Sequence, residues 1–157
     1  MRWFLLAALL AACGGEHEEG GGDNDHDAHH ADGDGHHHSA PHGGAMVVLG
    51  EEFAHLEILA DAATGRLTLY ILDGHAQKGL RCADASIRCT IRPAGFTLDL
   101  LPTARPTTGE KSGDASEFSA ADERLKGLAR FTALLEKVVV KGKSFEGIEI
   151  PYPEGAH

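Results

Sequence analysis

The sequence predicts a mainly β domain, an antiparallel β-sandwich or small barrel with one short helix, preceded by a disordered His-rich tether. Three observations carry that prediction. From Ala45 onward, short apolar stretches of strand length recur between turn-forming residues, the texture of an antiparallel all-β domain. Residues 16–44 hold eight histidines, eight Asp or Glu and seven glycines but almost nothing apolar, so this stretch cannot offset its ordering entropy. Setting aside residues 1–12 leaves 145, enough for one domain with a real core and not comfortably two.

The chain opens Met1-Arg2 and runs from Trp3 to Ala12 without a charge. One positive charge followed by about ten apolar residues is a signal-peptide layout, too short to span a bilayer. The next residues, Leu10-Ala11-Ala12-Cys13, resemble the lipobox of bacterial lipoproteins. That resemblance implies cleavage before Cys13 and a diacylglycerol on its sulfur, so that lipid holds the chain to a membrane. Small residues at Ala11 and Ala12 suit a peptidase groove without room for bulk. Gly14 after the cysteine implies outer-membrane sorting, hence a location in the cell envelope facing the periplasm. The competing reading is an ordinary secretory signal that happens to hold a cysteine. Anchoring by several acyl chains is stable because each buried methylene contributes roughly 0.8 kcal/mol. The expected organisation is therefore a signal peptide over 1–12, a lipidated cysteine and tether over 13–44, and a β-sandwich domain over 45–157.

The tether carries His17, His26, His29, His30, His36, His37, His38 and His42, interleaved with Asp23, Asp25, Asp27, Asp32 and Asp34. Neutral imidazole is a strong ligand for zinc, copper(II), nickel and cobalt, and at neutral pH most such histidines are uncharged. Neighbouring carboxylates concentrate cations and can complete a coordination shell. Pairs such as His26/His29 or His36/His38 can reach one ion together on a flexible chain, which predicts several interchangeable sites. The competing readings are a solvated spacer or an expression tag, and the interleaved acids directly after the lipobox argue against the tag. Asp23-x-Asp25-x-Asp27 has the start of a calcium loop, but Ala28 stands where glycine is needed and Asp34 where a bidentate Glu belongs. Calcium is rejected as the main ligand. Beyond Met1 only Met46 remains, which disfavours a methionine-rich copper(I) site.

In the domain, Met46–Leu49 reads as a first strand, closed by Gly50-Glu51-Glu52. Phe53–Leu59 alternates, with Phe53, His55, Glu57 and Leu59 on one face and Ala54, Leu56 and Ile58 on the other. Ala62-Ala63-Thr64-Gly65 is a turn, Leu67–Leu72 a strong strand, and Asp73-Gly74 its closing turn. Further strands are expected at Gly79–Ala83, Ile87–Ile91 and Thr97–Leu101, followed by a long loop over Pro102–Asp114. Ser119 with Asp122 resembles a capping box, so a short helix is expected over Ala120–Leu125, then a strand over Ala129–Val140. Gly142-Lys143 makes a hairpin turn and Ser144–Ile150 the last strand.

Cys82 and Cys89 remain once Cys13 is assigned to lipid. With a tight turn at Ala85-Ser86 they face each other across a hairpin and a disulfide is feasible in an oxidising compartment. Along one continuous strand they stand over 20 Å apart at roughly 3.3 Å per residue, and no bridge forms. Among the domain histidines, His42 and His55 are the candidates for an ordered metal site. Two glycines after His42 allow close backbone approach, Glu57 shares a strand face with His55, and His75 sits near a loop tip.

Pro41-His42-Gly43-Gly44, Phe53-Ala54-His55-Leu56-Glu57, Leu69-Tyr70-Ile71-Leu72-Asp73-Gly74, Ser116-Glu117-Phe118 and Gly142-Lys143-Ser144-Phe145 follow in that order. Over about residues 41–150 this resembles a group of small, His-rich exported proteins. It is also similar to an accessory domain of periplasmic adaptor subunits of heavy-metal efflux pumps. The resemblance implies a β-sandwich and a connection with metal handling. Here the chain ends Glu154-Gly155-Ala156-His157 without a second His-rich tail.

Composition excludes several function classes. Residues 16–44 account for −8 of the net −10, and from Ala45 onward there are sixteen acidic and thirteen basic residues with no basic cluster, so nucleic acid is not expected as a partner. No nucleophile elbow, phosphate loop, dinucleotide motif or metalloprotease helix is present, and no enzyme activity is expected. The sequence thus points to a membrane-anchored binder of divalent transition metals, zinc or copper(II), that buffers them or delivers them to an efflux assembly. The alternative is a structural or partner-binding envelope lipoprotein whose tether only supplies reach.

Overall fold

The computed structural model describes residues 38–103, 109–111 and 113–156; Cys13 and the tether histidines as far as His37 lie outside them. Eight strands follow in chain order: β1 (Ala45–Leu49), β2 (Ala54–Asp61), β3 (Arg66–Asp73), β4 (Ile87–Arg92), β5 (Phe96–Pro102), β6 (Glu117–Ala121), β7 (Phe131–Val140) and β8 (Lys143–Tyr152). They form one antiparallel sheet in the order β1-β2-β3-β6-β5-β4-β7-β8. The sheet curls into a nearly closed barrel, so of the two architectures expected it is the barrel that forms. Its edge strands are brought together by the C-terminus: Val47 forms a parallel bridge with Ala156, and the Ala156 N–H donates to the Met46 carbonyl at 2.8 Å. Closure matters because an open edge presents unpaired backbone groups to other chains.

Period-2 alternation sorts the side chains. On β4, Ile87, Cys89 and Ile91 are buried and their neighbours are not; on β5, Phe96, Leu98 and Leu100 repeat the pattern. These residues meet Leu56, Ile58, Leu69, Ile71, Phe118 and Leu135 in one interior. The type I′ hairpin between β7 and β8 turns on Lys141 and Gly142, both at positive φ (48° and 79°), with Val140 paired to Lys143. A two-residue loop of that hand matches the strand twist.

Two expected elements are corrected. Ala120–Leu125 is not a helix: Ala120 and Ala121 end β6, paired with Leu67 and Arg66 of β3. Only Glu123–Leu125 turns, as a single 3-10 turn capped by Asp122, whose carboxylate accepts from the Arg124 N–H at 2.9 Å. Backbone pairing with β3 outweighs the weak helix preference of Ser119-Ala120-Ala121. Gly79–Ala83 is not a strand either. Gly79 bridges Leu72 and Cys82 bridges Ala115 singly, with no continuous ladder between.

One region breaks the alternation. All of Ala54–Ile58 is buried, although His55 and Glu57 point away from the barrel interior. Their face is covered from outside by the segment 38–44 leading into β1, with Met46, Leu72 and Ala76 forming a second small cluster against Ala40 and Tyr70. This segment, here termed the strap, and the loop after β3 create the site described next.

Candidate functional site

Glu57 fastens the strap. Wholly buried on β2, its carboxylate accepts the His42 N–H at 3.0 Å and the Gly44 N–H at 2.8 Å through Oε1. Its Oε2 lies 2.8 Å from His42 Nδ1. The His42 ring, 32% exposed, stacks flat on Tyr70 with centroids 3.6 Å apart. Gly44 is what allows this approach: a Cβ there would lie 2.2 Å from the Ile58 carbonyl oxygen, so any side chain would lift the strap off β2. A buried carboxylate is tolerated only when hydrogen-bonded or paired, and here three N–H groups of the strap supply that compensation.

His55 lies beside this latch on the same face of β2 and is also wholly buried. Its Nδ1 is 3.0 Å from the Asp73 carbonyl oxygen, an acceptor only, so Nδ1 carries the proton and Nε2 the lone pair. That Nε2 is buried and has no hydrogen-bond partner among the described residues; the same holds for Nε2 of His38. The two rings meet edge to face with centroids 5.0 Å apart, and the His75 ring stands 6.2 Å from that of His38. An unsatisfied buried polar atom costs about 1–3 kcal/mol, so two adjoining ones call for a function.

The loop after β3 is itself fixed. The Asp73 carboxylate accepts from the Gln77 N–H at 2.8 Å and the Lys78 N–H at 3.2 Å, and the Gln77 bond above all holds it below its usual range. Asp73 therefore orders the loop with its side chain and orients His55 with its carbonyl. A cavity of about 340 Å³ opens on the other side of His42, lined in part by Tyr70, Arg81, Glu110 and Ser116. Within it the Ser116 hydroxyl donates to the buried Glu110 carboxylate.

The histidines expected to form an ordered site are thus divided. His42 is engaged by Glu57 and Tyr70, while His55 pairs with His38, the last residue of the His36-His37-His38 run, and with the Asp73 carbonyl. Cys13, His26, His29, His30, His36 and His37 lie outside the described residues. Cys82 and Cys89 are both free and buried. They do not face each other across a hairpin: Cys82 bridges Ala115, and Cys89 pairs with Leu98 and Leu135. Among the described residues no three His, Cys, Asp or Glu side chains stand close enough to enclose an ion without movement. The Asp73 carbonyl and the Tyr70 stack have no signal in the sequence, because a backbone acceptor is anonymous and ring stacking depends on register. Glu57 does have one, an acid set between Leu56 and Ile58 in the middle of a strand.

Comparison with protein-family models, with curated proteins and with solved structures finds no match.

Proposed function

We propose that this chain is a lipid-anchored envelope protein that collects divalent transition ions, zinc or copper(II), and buffers them or hands them to an efflux assembly. The observation that carries the reading is His55: wholly buried, its Nδ1 held by a backbone carbonyl and its Nε2 without a partner among the described residues, in a ring 5.0 Å by centroids from that of His38, whose Nε2 is likewise without one. Metal-binding histidines have this arrangement, one nitrogen fixed by a hydrogen bond so that the other points its lone pair at the ion. Imidazole suits zinc and copper(II) and is a poor ligand for calcium or magnesium. The tether's histidines and carboxylates add further capacity, and a lipid on Cys13 would keep that capacity at a membrane surface.

Calorimetric titration of the mature chain with zinc and with copper(II) tests this. Micromolar or tighter binding is expected. Exchanging His38 and His55 together for alanine should remove the tightest class of sites and leave weaker tether sites. Absence of heat with either metal would sink the proposal and leave a partner-binding envelope module in its place.

A further inference from the structure

We propose that the strap and the metal site are one device, in which Glu57 is a positioning residue. By docking the strap it places His38 beside His55, with His75 as third imidazole, and a divalent transition ion held by nitrogen alone is captured only when the strap is down. This rests on the metal-binding reading above and specifies how that site is built and released.

The three imidazoles come from three elements of unequal rigidity. His55 is on β2 and cannot move: its ring is buried and its Nδ1 is bonded to Asp73. His75 is exposed on the loop that Asp73 fixes, so its backbone is held while its side chain faces solvent. Its present distance, 6.2 Å from His38 by ring centroids, is within reach of a side-chain rotation. His38 depends on the strap. It lies four positions before His42, a reach of at most about 14 Å of extended chain, and its place is set by the N–H groups that Glu57 holds at His42 and Gly44.

Glu57 itself is not a ligand. Both its oxygens are engaged by the strap, so it acts on the ion only by fixing the histidine that binds it. Three histidines leave the fourth position of a tetrahedral zinc ion open to water or an incoming ligand. An open position and a removable ligand arm together suit an ion that must later be passed on.

The test uses zinc ion with the full mature chain, reading amide exchange at His42 and Gly44 by NMR beside calorimetry. In the wild type, zinc should slow exchange at both amides. E57L, which removes the oxygen that both amides share, should exchange fast there without metal and bind zinc at the tightest site about tenfold more weakly or worse, the usual size of an effect one step removed from the metal. E57D should recover part of both. H38Q leaves the latch intact, so its metal-free exchange should stay slow while the tightest site is lost; this variant decides the matter if E57L fails to fold. Zinc heat with unchanged strap exchange, or E57L with fast exchange and wild-type affinity, overturns this inference alone. No zinc heat in the wild type overturns it together with the proposed function.

Discussion

Burial alone pushes the Cys89 thiol from the ordinary 9.0 up to about 12. At Cys82 burial raises it to about 11, although the Asp84 N–H, 3.5 Å from Sγ, favours the thiolate. The thiolate is the reactive form, so both cysteines should resist alkylation by iodoacetamide at pH 8 while folded and react readily in urea. Equal rates in the two conditions would contradict the packing described. The sign of the pH dependence follows from the same shifts. Both folded values lie above the unfolded one, so the native state holds its protons longer; the contribution is complete below about pH 9 and is lost as pH climbs toward 11 and 12. A urea midpoint that is level up to pH 9 and declines above it is the expected record. At this scale the sequence was half legible. His55, His38 and Glu57 stood out by residue type and position. That Glu57 would claim His42, and His38 would claim His55, depended on how the strap crosses β2, which no local pattern encodes.

Strands announced themselves by alternation wherever one face is buried and the other wet, as on β4 and β5. Three elements did not. β6 is only five residues, the last three of them small, and Ser119-Ala120-Ala121 reads as readily as a helix start; pairing with β3, far away in sequence, decides it. Gly79–Ala83 has strand-like residues but meets its neighbours only at isolated bridges. The segment 38–44 looked like the end of a solvated tether because its Gly and His content hides the packing that Glu57 and Tyr70 provide. Turns were more faithful, although the β7–β8 turn falls on Lys141-Gly142, one residue before the expected Gly142-Lys143 pair, and that turn offers a clean test. Gly142 sits at φ 79° with nothing within 4 Å of where a Cβ would be, so its role is purely conformational. G142A should cost about 1–2 kcal/mol from the left-handed backbone alone. G142N should be milder, since asparagine tolerates that region. Urea denaturation with an unchanged m-value would report both, and an unaffected G142A would show that the β7–β8 turn is not as described.

For the molecule as a whole, residues 35–157 form a compact unit by themselves, and the interior is assembled from β1–β8, with the strap packed on the second, smaller cluster. Removing residues 16–34 should therefore leave the thermal midpoint where it is, while deleting as far as Gly44 should lower it by uncovering His55, Glu57, Met46 and Leu72. Circular dichroism on the two truncations checks this; equal midpoints would mean that the strap contributes nothing to the fold. The same comparison separates charge from structure, because all eight acidic residues of 16–44 lie within 16–34 and are already removed by the shorter truncation.

The strap enters β1 directly, and Glu57 grips it just before that entry. If the N-terminus is moored at a bilayer, any tug along the chain reaches the Glu57 bonds before it reaches the β1–β2 ladder. Those few bonds then act as a mechanical fuse: they yield first and let out residues 38–44, roughly 24 Å of slack at about 3.4 Å per residue, while the barrel stays shut behind them.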